Sequence, residues 1–132
     1  VLVFSFLVLV GAACAVYLAR SRLRALLYRQ YQAFICHHKA GAGCLARLLK
    51  LKLTTGQYKV FIDTDDLVDL DCLFEVVMRS TEHLVILGTS KICSRPWCVG
   101  EMVSAKLAGV KTTNVILAGY QDPPQDFIEN YE

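Results

Sequence analysis

The sequence predicts an α/β domain in which a parallel sheet carries helices on both faces, preceded by an N-terminal transmembrane helix. Two observations lead to this prediction. From Tyr31 onward, short apolar runs alternate with segments of helical periodicity, and strands that are apolar throughout are typical of parallel sheets covered on both faces. Before that point, Val1 to Ala19 contains no charged residue. A chain of 132 residues is long enough for one domain and little more.

The apolar N-terminal run has the length of a membrane span. As a helix, residues 1–19 would measure roughly 28 Å, close to the ~30 Å hydrocarbon core of a bilayer. A basic juxtamembrane linker, residues 20–30, follows without an acid and contains Arg20, Arg22, Arg24 and Arg29. This flank predicts a membrane protein whose C-terminal side is cytoplasmic and whose arginines meet anionic lipid head groups. A cleaved signal peptide is not expected, because it would carry its positive charge before the apolar run. The alternative to a membrane span is a buried helix of a larger soluble protein.

The rest of the chain is close to neutral. The sequence has 14 Lys and Arg residues against 12 Asp and Glu residues, and all of the basic ones lie from Arg20 onward. Without the four linker arginines, 10 basic residues remain against 12 acidic ones, a net charge of about −2. We therefore expect no nucleic acid among the partners of this domain.

The elements of the domain follow in order along residues 31–132. Strands are predicted at residues 33–36, 58–62, 84–87 and 115–117, and helices at 44–53, 70–79 and 96–107. In the first helix, periodicity places Leu45, Leu48, Leu49 and Leu53 inward. The third helix begins at Pro96, whose ring suits a first turn, and ends near Gly109. The prediction is a flavodoxin-like sheet, whose ligands lie outside the carboxyl ends of the strands at the switch point of the strand order.

The most informative motif is Trp-Cys-Val-Gly-Glu at residues 97–101, where a loop becomes a helix. Trp97 and Glu101, four residues apart, are expected on one helical face. That arrangement places an acid beside an aromatic wall, where a carboxylate is partly desolvated and held rigidly. The alternative is that Trp97 belongs to the core and Glu101 is a solvated first-turn acid favoured by the helix dipole. From these five residues alone, the alternative is the more common outcome.

Two other clusters carry weaker indications of a site. An acidic run follows the second strand and consists of Asp63, Asp65, Asp66, Asp69 and Asp71. An EF-hand counted from its first acid fails, because Val68 and Phe74 stand where glycine and glutamate are needed. The run is expected to be a solvated loop, with a partner-binding or magnesium surface left open. Cys36-His37-His38 has no second ligand pair at zinc-site spacing, so no metal site is predicted.

The order of motifs resembles a TIR domain, the module of Toll and interleukin-1 receptors and of plant resistance proteins. The resemblance runs from about Tyr31 to Ala118, through residues 33–37 (Ala-Phe-Ile-Cys-His), residues 60–63 (Val-Phe-Ile-Asp) and residues 94–101 (Ser-Arg-Pro-Trp-Cys-Val-Gly-Glu). The last of these is very similar to the Ser…Trp-Cys-x-x-Glu pattern of plant TIR domains. The acid four residues after the tryptophan is catalytic in the enzymatic branch of the family.

The resemblance implies that Glu101 is the catalytic residue for cleavage of the nicotinamide–ribose bond of NAD+, which is the substrate, with no further cofactor. Trp97 would form a wall of the pocket, and His37, His38 and Lys39 would meet the pyrophosphate. Asp63, at the end of the second motif, joins the substrate-binding set. The partners implied are other TIR domains, and the role is signal transduction in innate immunity.

Three departures leave other functions open. The loop after the second strand has Asp66-Leu67-Val68-Asp69 in place of the glycine-containing turn usual in the family. The family's serine is replaced by Cys36, and the chain stops before the expected fifth strand and last helix, so the TIR-like domain is expected to be incomplete at its C-terminus. The rival function is a non-enzymatic TIR interaction module of a Toll-type receptor or multi-span membrane protein. A plain structural cytoplasmic domain is the third possibility.

Overall fold

The structure, a computed structural model, describes residues 10–20, 29–66 and 72–131. Its centre is a four-stranded sheet in which every pair of neighbouring strands is parallel. The strands are β1 (Ala33–His37), β2 (Val60–Phe61), β3 (His83–Gly88) and β4 (Lys111–Ile116). They lie side by side in the order β2-β1-β3-β4. The predicted doubly wound architecture is confirmed, and the switch point falls between β1 and β3.

Helices connect the strands and cover the sheet. Residues 10–20 form α1. The helices of the domain are α2 (Lys39–Thr55), the single turn α3 (Asp63–Asp66), α4 (Leu73–Glu75) continued by a widened π-type turn (Val76–Ser80), α5 (Pro96–Leu107) and α6 (Gln125–Glu129). A short 3-10 turn, Ile92–Ser94, precedes α5. The bounds of α5 agree with the prediction, because Pro96 starts it and Gly109, at φ +64°, follows its end.

Two hydrophobic cores lie on opposite faces of the sheet. Alternate residues of β1 point to opposite sides, so Phe34 and Cys36 join one core while Ala33 and Ile35 join the other. The first core is covered by α4 and α5, which contribute Leu73, Val77, Cys98 and Ala105. The second core is covered by α2 through Ala42 and Ala46. The face to which a residue of β1 points therefore decides which helices it meets.

The inward face predicted for the first helix was confirmed for Leu49 and Leu53 and wrong for Leu45 and Leu48. Ala42 and Ala46 are the buried residues of α2, whereas Leu45 and Leu48 are exposed. Small side chains allow the helix to approach the sheet closely, and the larger Leu49 and Leu53 pack at the margin of the same core. The helix also begins five residues earlier than predicted, because His38 caps its N-terminus.

The prediction that every strand is covered on both faces was wrong for β4. All six residues of this strand are exposed, and it pairs only with β3 among the residues that the structure describes. The strand also starts four residues before the predicted position. Its polar residues, Thr112, Thr113 and Asn114, belong to an edge strand rather than to a buried one.

The predicted membrane span is described only in part. Residues 10–20 are helical, as expected for the end of the apolar run, whereas residues 1–9 lie outside the described residues. No helix in the described ranges combines the length and apolar character needed to cross a membrane. Of the linker, Arg22 and Arg24 are also outside the described residues. Arg29 donates a hydrogen bond of 2.6 Å to the carbonyl oxygen of Thr81, so its side chain contacts the domain itself.

Candidate functional site

Glu101 is buried inside the domain. It lies on α5 with its side chain on the inward stripe formed by Cys98, Glu101 and Ala105, which follow at spacings of three and four residues. Only 2 % of Glu101 is accessible to solvent. The expectation of a solvated first-turn acid was therefore wrong, because the inward face of α5 packs against β1. An acid held in this way affects the stability of the fold as well as any chemistry.

Two cysteines surround the Glu101 carboxyl group. The sulfur atoms of Cys36 on β1 and Cys98 on α5 and a carboxyl oxygen of Glu101 all lie within 4.8 Å of one another, and all three residues are buried. The Cys36 thiol donates to the carbonyl oxygen of Cys98 at 3.8 Å, and the Cys98 thiol donates to that of His37 at 3.4 Å. The cluster lies beneath the carboxyl end of β1, next to the switch point.

Burial controls the acidity of this cluster. Removal from water raises the pKa of Glu101 from its ordinary 4.5 to about 8, while a hydrogen bond from Cys36 and the charge of Arg95 act in the opposite direction. The interaction between the two thiols raises the pKa of Cys36 and lowers the pKa of Cys98. Cys98 is thus the more acidic thiol. At neutral pH, the Glu101 carboxyl group in this environment is mostly protonated.

A second polar cluster lies at the same edge of the sheet and on its other face. It consists of His37, the last residue of β1, together with Lys39 and Asp63, which lie two residues after the ends of β1 and β2. The His37 Nδ1 atom lies 3.9 Å from one carboxylate oxygen of Asp63, and the Lys39 Nζ atom lies 3.9 Å from the other. The negative charge of Asp63 also raises the pKa of Glu101. The two clusters are therefore electrostatically connected around the end of β1.

His37 is held as a largely neutral side chain. It is 3 % exposed, and its Nδ1 atom lies 3.3 Å from the carbonyl oxygen of Ile35. Burial lowers the pKa of His37, although the hydrogen bond to Ile35 and the charge of Asp63 act in the opposite direction. The accessible positive charge of this cluster is therefore that of Lys39, because half of its side chain is in solvent.

His38 and Trp97 both contact neighbouring groups of the protein. The His38 Nδ1 atom accepts a hydrogen bond of 3.1 Å from the backbone N–H of Gly41 and thereby caps α2. Trp97 stacks on Phe74 of α4, with ring centroids 5.7 Å apart, and is 40 % exposed. Trp97 is therefore partly at the surface, whereas Glu101, four residues later on the same helix, is buried.

Two residues of this region carried no sequence prediction. Arg95, directly before α5, lowers the pKa of both Glu101 and Cys98 through its positive charge. The hydroxyl group of Thr89, directly after β3, is buried without a hydrogen-bond partner among the described residues. Both positions lie in the segment that follows β3 at the switch point. The sequence indicated them only through their place in residues 89–97, which follow the carboxyl end of the third strand.

Two open cavities among the described residues lie away from Glu101. A cavity of about 650 Å³ opens at the opposite edge, among the amino ends of the strands, where Ala33, His83 and Lys111 contribute to its lining. A smaller one of about 170 Å³ lies at the carboxyl edge and is lined in part by Thr89 and Asp122. Neither is lined by Glu101. A ligand that reaches this carboxyl group must therefore displace part of the surrounding structure.

Comparison with solved structures identifies the fold. The chain is similar to the TIR domain of the Toll-related receptor TRR-2 from Hydra magnipapillata, with a TM-score of 0.58 and 14 % sequence identity over 76 % of this chain and 81 % of that one. It is also similar to a metazoan TIR-STING receptor from C. gigas, with a TM-score of 0.58 and 19 % identity. That match covers 74 % of this chain and 35 % of the receptor chain.

No family model matches the chain, and no curated protein does. The class defined by the sheet order and the structural neighbours is nonetheless clear, because the match extends over three quarters of the chain. The domain has the fold of a TIR domain. Its site region, at the carboxyl ends of β1 and β3, combines a buried acid with two thiols and a separate polar cluster.

Proposed function

We propose that this chain is a membrane-tethered, cytoplasmic TIR signalling domain that associates with other TIR domains and cleaves NAD+ when assembled. The observation that carries the enzymatic part is the placement of the Glu101 carboxyl group at the carboxyl edge of the sheet, held by α5 and surrounded by protein. A carboxylate in such a low-dielectric position stabilises a developing positive charge more strongly than a solvated one does.

The reaction proposed is hydrolysis of the bond between C1′ of the ribose and the nicotinamide nitrogen. That bond breaks with its electron pair going to the ring nitrogen, so nicotinamide leaves as a neutral molecule. The ribose carbon becomes an oxocarbenium-like centre, which the Glu101 carboxylate stabilises through its charge and through hydrogen bonds to ribose hydroxyls. Water then adds to C1′, giving ADP-ribose and a proton. Lys39, whose side chain is half exposed, is proposed to meet the pyrophosphate.

Activation is part of the proposal, because Glu101 is closed off in the conformation described. With a pKa of about 8 and 2 % exposure, the side chain is mostly protonated at neutral pH and does not reach a substrate. Association with neighbouring TIR domains would have to move α5 or the β1–α2 connection, admit solvent and lower the pKa. Catalysis would then depend on assembly, as signalling requires.

Support for association comes from exposed apolar side chains on α2. Leu45, Leu48 and Leu51 are spaced three residues apart and lie on the solvent side of the helix, with Leu51 67 % exposed. Such a stripe is typical of a contact surface rather than of a solvated helix. We propose a second copy of this domain as its occupant. The membrane tether is proposed on the apolar run of residues 1–19 and on the exposed apolar residues of α1, such as Val16 and Leu18.

A non-enzymatic interaction module is the second candidate. It is favoured by one observation, namely that neither cavity at the two edges of the sheet is lined by Glu101. In that case Glu101 would be a structural residue, and association alone would transmit the signal.

The test is NAD+ loss measured by chromatography with the full chain crowded on lipid vesicles. Glu101→Gln, which keeps the shape of the side chain, should abolish cleavage, and Glu82→Gln, at an exposed position, is the matched control. Because assembly is proposed to lower the pKa of Glu101 from about 8, the cleavage rate of the crowded protein should reach its plateau below pH 8. Cleavage that survives Glu101→Gln contradicts the site, and no cleavage by folded, crowded protein favours the interaction module.

Association is tested separately by chemical cross-linking on the same vesicles. Leu48→Glu and Leu51→Glu place a charge in the apolar stripe and should reduce cross-linked dimers, while Lys52→Glu on the same helix controls for the change of charge. If both leucine variants form as many cross-linked dimers as the wild type, α2 is excluded as the contact surface.

A further inference from the structure

We propose that Cys36, Cys98 and Glu101 form a binding site for a thiophilic divalent cation, with Zn²⁺ as the expected ion. Each residue offers one ligand atom, and these three atoms already lie within 4.8 Å of one another. In a tetrahedral zinc site, with Zn–S bonds of about 2.3 Å, neighbouring ligand atoms are about 3.8 Å apart. A contraction of roughly 1 Å would therefore close the three groups around the ion.

The backbone places these ligands together without help from a flexible loop. Cys36 belongs to β1, which is hydrogen-bonded between β2 and β3. Cys98 and Glu101 lie three residues apart on the inward face of α5, a spacing that brings two side chains to the same side of a helix. A central strand and a packed helix hold their side chains more precisely than loops do, which is the condition for a preorganised metal site.

The ligand set selects the class of metal. Two cysteine sulfurs favour Zn²⁺ and other thiophilic ions over Mg²⁺ and Ca²⁺, which prefer oxygen ligands only. Two thiolates and a carboxylate would leave a net charge of about −1 around a divalent ion, and the positive charge of Arg95 acts on both Cys98 and Glu101. Three protein ligands leave a fourth position for water or another small ligand.

The ligands of this site come from distant parts of the sequence. The Cys36-His37-His38 segment lacks a second ligand pair at the spacing of a local zinc motif, and the fold supplies the missing ligands 62 and 65 positions away. His37 is not among them, since its side chain is directed to the other face of the sheet, towards Asp63. One consequence rests on the proposed function: a bound metal would occupy Glu101 and exclude it from the ribose, so metal release would accompany activation.

The experiment measures metal binding directly and uses the full chain, reduced and in detergent. Equilibrium dialysis against Zn²⁺ with elemental analysis gives the stoichiometry, and Co²⁺ absorption reports the number of thiolates through charge-transfer bands. We expect one ion with two thiolates in the wild type. Cys36→Ser, Cys98→Ser and Glu101→Gln keep the shape of each side chain, and the matched controls are Cys44→Ser and Cys72→Ser, at exposed thiols.

Each cysteine variant of the site should weaken binding more than about 100-fold, because even groups that only support a metal ligand contribute 10- to 100-fold. The two control variants should bind as the wild type does. Loss of binding in the controls, unchanged binding in Cys36→Ser and Cys98→Ser, or a single thiolate in the cobalt spectrum of the wild type would each overturn the proposal.

A folding defect in a variant does not obstruct the test. The wild type alone should show a higher urea midpoint with Zn²⁺ than with a chelator, because an ion that binds only the folded state stabilises it. An unchanged midpoint would overturn the proposal as well. NAD+ cleavage is not a readout here, so failure of the metal site would leave the proposed activity standing, and loss of that activity would leave the metal site standing.

Discussion

Glu101→Gln should make the folded domain more stable at alkaline pH and leave it nearly unchanged at pH 5. The substitution keeps the size of a buried side chain and removes its ability to ionise. In the wild type, the pKa of Glu101 rises from 4.5 when solvated to about 8 in the fold. The folded state therefore holds this proton more tightly than the unfolded state does, and its contribution to stability is present at low pH and lost as the pH rises to about 8.

The magnitude follows from the two pKa values. At 1.36 kcal/mol per pH unit, the full difference corresponds to about 5 kcal/mol. Between pH 5 and pH 8, the wild type should lose roughly 3 kcal/mol of its free energy of unfolding through this group. Glu101→Gln lacks that loss, so the stability difference between variant and wild type should grow by the same amount over the interval. This is large compared with a typical domain stability of about 5–15 kcal/mol.

The assay is a urea titration of the full chain in detergent at several pH values. Trp97 is the one tryptophan of the sequence, and it stacks on Phe74 at the edge of the α4–α5 interface, so its emission follows unfolding of this region. Glu82→Gln, at an exposed position, provides the control. Parallel pH profiles for wild type and Glu101→Gln would refute the reasoning, because they would mean that Glu101 is solvated in the folded state.

Three further substitutions test the packing around the site, each by urea unfolding. Gly100→Ala should lower the free energy of unfolding by about 1–3 kcal/mol, because an added Cβ would lie 2.5 Å from the ring of Phe74. Unchanged stability would mean that α4 lies farther from α5 at this point. Lys50→Met should cost less than about 1 kcal/mol, since its 2.6 Å ion pair with Asp66 remains partly exposed; a cost well above that would show that the ion pair is desolvated. Thr89→Val should stabilise by about 1 kcal/mol by removing an unpaired buried hydroxyl group, whereas destabilisation would reveal a bound partner for it.

The sheet and the start of α5 could be predicted from the sequence because local rules govern them. A short run of apolar residues such as Leu84 to Leu87 is typical of a strand in a parallel sheet, because both faces of such a sheet are covered by helices. Pro96 at a first helical turn is favoured for a reason confined to its own ring and its missing N–H. Only the apolar end of β4 was predicted, at residues 115–117, because the polar residues 111–114 have no apolar pattern that distinguishes them from a loop.

The inward face of α2 shows where periodicity alone fails. Leu45 and Leu48 were expected to be buried because they recur at helical spacing with Leu49 and Leu53. The distance between α2 and the sheet decided otherwise, since only Ala42 and Ala46 fit where the two approach closely. The amino-acid sequence contains both sets of residues at helical spacing, and only the packing selects between them.

By itself, the sequence determined the α/β architecture, the position of Glu101 at the start of the third helix, and the resemblance to TIR domains. Only the tertiary structure decided that this acid is buried and that Cys36 and Cys98 are its neighbours. It also directed the His37 side chain to the opposite face of the sheet. The physical reason is that local patterns specify elements, while the environment of a side chain depends on residues such as Cys36 and Glu101 that are 65 positions apart in the chain and meet only when β1 and α5 pack.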